Sequence, residues 1–235
     1  MWFGTASGLN RYDGYDTRIY RSLKDDGNSL PDSYIEDIQE DATGNLWVRT
    51  GAGYAIYNSV SDIFDRNVEG WMWHIGISGN PSTVYIDSEK IFWIYVAGKG
   101  IYCYKPGQEN AVMVAGTDTL LTEMNITDMT ECSEGILLAF GNGVLACLDR
   151  EKLNVKWTFD GIASQWGKNQ SETFTLFVDS HERVWMYSVE GMWVYHLPKK
   201  SWEVRSVRSD RSNMVRAISQ DKYGNIWIGR DQDGI

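Results

Sequence analysis

No stretch of this sequence runs to 18 apolar residues, so no segment is long enough to cross a bilayer as a helix. Basic residues are outnumbered, 22 Lys and Arg against 32 Asp and Glu, and Lys199-Lys200 is the only adjacent basic pair. A net charge of −10 leaves no surplus with which to neutralise phosphates, which excludes nucleic acid as a partner of this segment. The cysteines, Cys103, Cys132 and Cys147, are odd in number and far apart, which fits neither a disulfide framework nor a metal knuckle. Cys103 and Cys147 fall at similar repeat positions, where small buried thiols serve. His74, His181 and His196 are each isolated, so no zinc site or facial triad is expected. No Gly-x-Ser-x-Gly elbow is present, no cofactor is implied, and helical periodicity never outlasts one turn. Four prolines set against 23 glycines suit short strands joined by tight turns.

What is present is a seven-residue frame, written four times. It reads Asp41-Ala42-Thr43-Gly44-Asn45-Leu46-Trp47, then Asp87 to Trp93, Asp179 to Trp185 and Asp221 to Trp227. A degenerate copy, Glu131 to Leu137, keeps an acid but replaces the Trp, and Trp2 reads as the tail of a sixth copy. The seventh positions, 2, 47, 93, 137, 185 and 227, lie 45, 46, 44, 48 and 42 residues apart. A period near 45 built of strands indicates propeller blades. Within the frame, the Asp can bond the backbone two residues on, a Gly or Asn tolerates positive φ, and the apolar pair starts the returning strand. The expected fold is therefore all-β, a propeller of four-stranded blades with modules at about 2–33, 34–81, 82–124, 125–172, 173–213 and a partial 214–235. Trp2, Trp47, Trp93, Trp185 and Trp227, with Asp41, Asp87, Asp179 and Asp221, read as structural anchors. Trp-bearing strands stand at both ends of the chain, so the expectation is an arc of about five blades cut from a larger, seven-bladed ring within a longer polypeptide.

Residues 2–57 and 214–234 carry a resemblance. Trp2-Phe3-Gly4-Thr5, Gly8-Leu9-Asn10-Arg11-Tyr12-Asp13-Gly14, Asn28-Ser29-Leu30-Pro31-Asp32-Ser33-Tyr34-Ile35 and Gly44-Asn45-Leu46-Trp47-Val48 are similar to the two-component regulator propeller repeat. That repeat is typical of the periplasmic sensor portion of hybrid two-component systems in gut Bacteroides-type bacteria. The resemblance implies a periplasmic location, an oligosaccharide ligand, and a kinase, receiver and DNA-binding module elsewhere in the parent. It implies no catalysis and no membrane contact by this segment, whose other partners would be the remaining blades and a second copy.

Candidate ligand residues are those that break the frame. Trp71, Trp73 and His74 lie in one loop entering an innermost strand, and Trp166 lies in another among polar residues. Aromatic faces stack on sugar rings, and neighbouring polar groups can fix hydroxyls. The competing reading makes Trp71 and Trp73 an extra strand pair packed on a neighbouring blade. Asn213 and Arg216 stand at the mouth of the last innermost strand, as Ser33 and Glu36 do earlier. Two other functions compete with sensing. One is an interaction or dimerisation scaffold. The other is a propeller glycoside hydrolase or lyase, which the scattered arginines and absent catalytic constellation disfavour.

Overall fold

The Asp frame predicts a tight reversal between two strands, and the structure is a succession of such reversals. It is a computed structural model and describes residues 1–116, 125–162, 172–189, 191–203 and 214–230. The chain divides into two compact units, Met1–Val96 with Tyr102–Val112, and Ala97–Ile101 with Met113–Ile235.

In the first unit, β1 (Trp2–Thr5), β2 (Gly8–Tyr12) and β3 (Thr17–Tyr20) form a three-stranded antiparallel sheet. A four-stranded sheet follows in chain order: β4 (Ile35–Glu40), β5 (Leu46–Thr50), β6 (Gly53–Asn58) and β7 (Ile63–Asp65). A helix, α1 (Val68–His74), then leads to a sheet of β8 (Thr83–Ile86), β9 (Phe92–Val96), β10 (Gly100–Tyr104) and β11 (Val112–Met113), whose strand β10 carries the division between the units. The second unit holds β12 (Ile126–Cys132), β13 (Gly135–Phe140), β14 (Leu145–Asp149) and β15 (Asn154–Phe159) in one sheet. Its next sheet is β16 (Thr175–Val178), β17 (Arg183–Ser188), β18 (Gly191–His196) and β19 (Ser201–Glu203), and the last pair is β20 (Val215–Gln220) with β21 (Ile226–Arg230). Four short antiparallel strands in sequential order are the construction of a propeller blade.

Each core lies between neighbouring sheets. Leu9, Tyr20 and Leu30 meet Leu46, Val48, Tyr57 and Phe64 between the first two. Trp47 and Tyr54 meet Val84, Ile86, Phe92 and Ile94 between the second and third. In the second unit, Leu137, Ala139 and Cys147 meet Leu176, Val184 and Met186, and Trp185 and Val194 meet Val215 and Ile218. Full burial of an aliphatic or Phe side chain is worth about 1.5–3 kcal/mol. Polar stitches align the layers. The Gln39 side chain donates to Val84 O (2.9 Å) and accepts from Ile86 N (2.5 Å), and Asp128 Oδ2 accepts from Leu176 N (2.7 Å).

The helix corrects the expectation of no helix beyond a turn, and it overturns the competing reading that made Trp71 and Trp73 a strand pair. Asn67 caps it by accepting from Gly70 N at 3.0 Å, and Gly76 leaves it at φ 80°. Val68, Met72 and Ile75 are buried along one stripe, so its burial against the second and third sheets decides the local conformation. The degenerate frame copy is also corrected. Glu131 does not begin a turn; it lies within β12, paired with Ile136 and bonded to Arg150 at 2.9 Å. The strands there close through Ser133 and Glu134 alone, and Gly135 is required because a Cβ would sit 1.9 Å from Leu148 O.

Candidate functional site

The four intact frames are identical devices. In each, the Asp closes a five-residue turn, with Glu40 paired to Leu46, Ile86 to Phe92, Val178 to Val184 and Gln220 to Ile226. One carboxylate oxygen accepts from the backbone N–H groups two and four residues on, as Asp87 Oδ1 does from Glu89 N and Ile91 N at 3.0 and 2.9 Å. The other accepts the indole N–H of the frame Trp, at 3.3 Å in Asp41–Trp47, 3.0 Å in Asp87–Trp93, 2.9 Å in Asp179–Trp185 and 3.1 Å in Asp221–Trp227. The acid and the aromatic are thus used up by each other. Where the frame fails, Glu134 accepts the indole N–H of Trp157 from β15 at 3.0 Å.

The frame-breaking residues do not converge. Trp71 is a packing residue: its ring centroid lies 4.6 Å from that of Trp47, 5.1 Å from Phe92 and 5.7 Å from Tyr104. This places it at the end of the sheets that bears the Asp turns. Trp73 is 76% exposed on the outer side of α1, and His74 beside it is exposed. Arg216, exposed on β20, sits in the second unit where the register shifts between Val215 and Ala217. Glu36 occupies the same kind of shift in β4 and pairs with Arg49 at 2.8 Å. Trp166 and Asn213 lie outside the described residues. Among the described residues, no group of three or more His, Cys, Asp or Glu could hold a metal ion, and no helix is long and apolar enough to cross a membrane. The neighbouring Cys132 thiol, with burial, pushes the Cys147 thiol above its ordinary range, and Cys147 Sγ donates to Leu148 O at 3.7 Å. Burial pushes the Cys103 thiol up to about 11, so it is an inert core thiol.

A charged cluster absent from the sequence-level expectation lies between the first two sheets. Asp62, the last residue of the turn joining β6 to β7, stands at φ 58°. Its Oδ1 accepts from the hydroxyls of Tyr20 and Tyr57, each at 2.7 Å, and its Oδ2 is ion-paired with Arg18. The Arg11 guanidinium lies 3.9 Å from the same carboxylate, donates to the Tyr57 hydroxyl at 3.0 Å, and covers the Trp2 ring at 5.8 Å. The phenol hydrogen bonds, from Tyr57 and then Tyr20, with the two arginines, hold the Asp62 carboxyl below its ordinary range, while burial pushes the Tyr20 phenol up. A groove of about 330 Å³ opens beside the cluster, lined by Arg18, Ile19, Leu23, Asn28, Asp62 and neighbouring residues. Arg66 fixes its rim, donating to Ser29 O and Leu30 O at 2.7 Å each. No periodic signal marks Asp62 or Arg18. What could have found them is the spacing of Arg18 and Tyr20, two residues apart and so on one face of β3, together with an acid in the turn that follows Tyr57.

Comparison with known proteins agrees with the sheet topology. The model of the two-component regulator propeller matches residues 29–52 and 209–229. None of the curated proteins matches the chain in sequence. The extracellular domain of a hybrid two-component system of B. thetaiotaomicron is similar in structure, with a TM-score of 0.65 at 17% identity over 97% of this chain and 30% of that one. The extracellular domain of a one-component system of the same organism superposes with a TM-score of 0.67 at 20% identity, over 97% and 32%. A surface component of the type-IX secretion system of Porphyromonas gingivalis gives 0.59 at 15%, over 97% and 35%. The chain therefore spans about a third of the length of each of these structures. Residues 29–52 and 209–229 thus match the two-component regulator propeller repeat, one match in each unit, and the four-stranded sheets have the topology of propeller blades.

Proposed function

We propose that the chain is a ligand-sensing portion of an extracytoplasmic propeller in a two-component sensor, facing the periplasm, and that its ligand is an oligosaccharide. In this reading the segment binds and does not catalyse. A histidine kinase elsewhere in the parent passes the signal to transcription of polysaccharide-utilisation genes. The observation that supports it is the pair of matched repeats, 29–52 and 209–229, each with its Asp turn and indole bond. Similar structures from extracellular domains of bacterial sensor systems point the same way.

The test is thermal unfolding of the chain against a panel of neutral and acidic oligosaccharides. A ligand that binds only the folded state raises Tm with its concentration, by about 2.7 kcal/mol of stability at one hundred times its Kd. Sensing predicts such a rise for at least one member. A flat response across the panel, joined to concentration-dependent self-association, would replace sensing with a scaffold role.

A further inference from the structure

The charged cluster between the first two sheets is not something the fold demands. The next seam shows the alternative. There Trp71 touches Trp47 and Tyr104, as Tyr20 touches Trp2 and Tyr57, and the contact is made with an indole and no carboxylate. Nor does the turn demand Asp62. The turn Asp149–Leu153 of the fourth sheet is built the same way, with its first side chain accepting from the next backbone N–H groups and its last residue at φ 49°. That last residue is Leu153, so the turn requires a left-handed backbone and tolerates an apolar side chain. Burying phenol hydroxyls is costly unless they are bonded, and here those of Tyr20 and Tyr57 are both aimed at one oxygen of Asp62, a partly exposed carboxylate that lines a groove.

From this we infer that the groove beside β3 and the β6–β7 turn is a binding site for an uncharged saccharide, with Asp62 as the principal acceptor of its hydroxyls. The inference rests on the sensing role proposed above and assigns that role a place. An ionised carboxylate offers about four acceptor positions. Tyr20 and Tyr57 occupy those of Oδ1, and Arg18 takes one on Oδ2, which leaves room for a ligand hydroxyl. Arg18 and Asn28 supply donors, and Ile19 and Leu23, 49% and 56% exposed, supply the apolar wall against which the C–H face of a sugar packs. The arginines Arg18 and Arg21 balance Asp26 and Asp62 along the lining, so the groove is neutral, and the chain charge of −10 disfavours polyanions. The volume falls at the lower end of the usual range for small-molecule sites, about 300–1,000 Å³, which suits one or two sugar rings.

Isothermal titration of the 235-residue chain with neutral gluco-, manno-, galacto- and xylo-oligosaccharides and with uronate oligomers tests this. Asp62→Asn keeps a residue that accepts the left-handed backbone and removes the charge. It is expected to weaken binding about tenfold or more, the scale of a hydrogen bond to a charged group. The exposed Arg18→Ala is expected to weaken it several-fold without loss of Tm, and Trp73→Ala to leave it unchanged. A neutral saccharide bound equally well by wild type, Asp62→Asn and Arg18→Ala overturns the groove while sensing survives. Preference for uronates overturns the uncharged class. No binding by any member overturns both readings.

Discussion

A carboxylate has two oxygens, and Asp41, Asp87, Asp179 and Asp221 use one for the backbone of a turn and one for an indole. What differs among them is burial. Asp87 is 2% exposed and its partner Trp93 is fully buried, whereas Trp227 is 49% exposed. Losing an acceptor that leaves a buried donor unsatisfied costs about 1–3 kcal/mol, so Asp87→Ala is expected to cost more than 2 kcal/mol by urea unfolding and Asp221→Ala clearly less. The tryptophans should follow the same order. Trp47→Ala should cost about 3–5 kcal/mol, and equal losses for Trp47 and Trp227 would contradict the packing described. Asp221 also carries a pH signature. The Asn225 side chain, then the Trp227 indole and two backbone N–H groups, hold its carboxyl down to about 2 from 3.8. A depressed folded-state pKa means a contribution complete above 3.8 and lost as pH falls towards 2. The stability advantage of wild type over Asp221→Asn should therefore shrink across that interval, as denaturation at a series of acid pH values would show.

The turn is the element on which the fold is counted, and its fourth position shows how an element departs from its own pattern. Gly44 and Gly224 take that position at φ 81° and 88°, while Lys90 and Glu182 take it at φ 64° and 58°. A left-handed backbone costs an ordinary residue about 1–2 kcal/mol. Both exceptions reach across to the preceding sheet: Lys90 Nζ donates to Glu40 O at 2.9 Å, and Glu182 Oε2 accepts from the Ser133 hydroxyl. Lys90→Ala keeps the strain and loses the bond, and should destabilise. Lys90→Gly loses the bond and relieves the strain, and should raise stability by about 0.5–1 kcal/mol. The helix α1 was within reach of a sequence argument. Asn67 is a cap, Val68, Trp71, Met72 and Ile75 keep a helical stripe, and Gly76 follows. Seven residues with Gly70 among them fall below the length at which propensity decides, so burial between two sheets had to decide it.

At the scale of the whole molecule, charge is the main lever. A chain at −10 that binds a neutral sugar in a neutral groove should show a Kd almost independent of salt between about 0.05 and 0.5 M. A steep loss of affinity with salt would indicate a charged ligand or partner instead. The two units each hold complete blade cores, so variants such as Trp47→Ala in one and Trp185→Ala in the other act on separate apolar layers. Their costs should add within about 0.5 kcal/mol.

A period near 45, an Asp and a Trp six residues apart and apolar pairs between them determined the blades from sequence alone, because a turn and its strand are local objects and repetition makes them countable. The same locality hid the rest. Asp62, Arg18, Tyr20 and Tyr57 come from two strands and a turn up to 44 residues apart, and only the packing of one sheet on the next brings their polar ends together. Whether Trp71 or Trp73 faced solvent was likewise undecided by composition. The tertiary structure decided it, since a helix rotates each residue by about 100°, and the stripe that packs on Trp47 takes Trp71 inward and leaves Trp73 out.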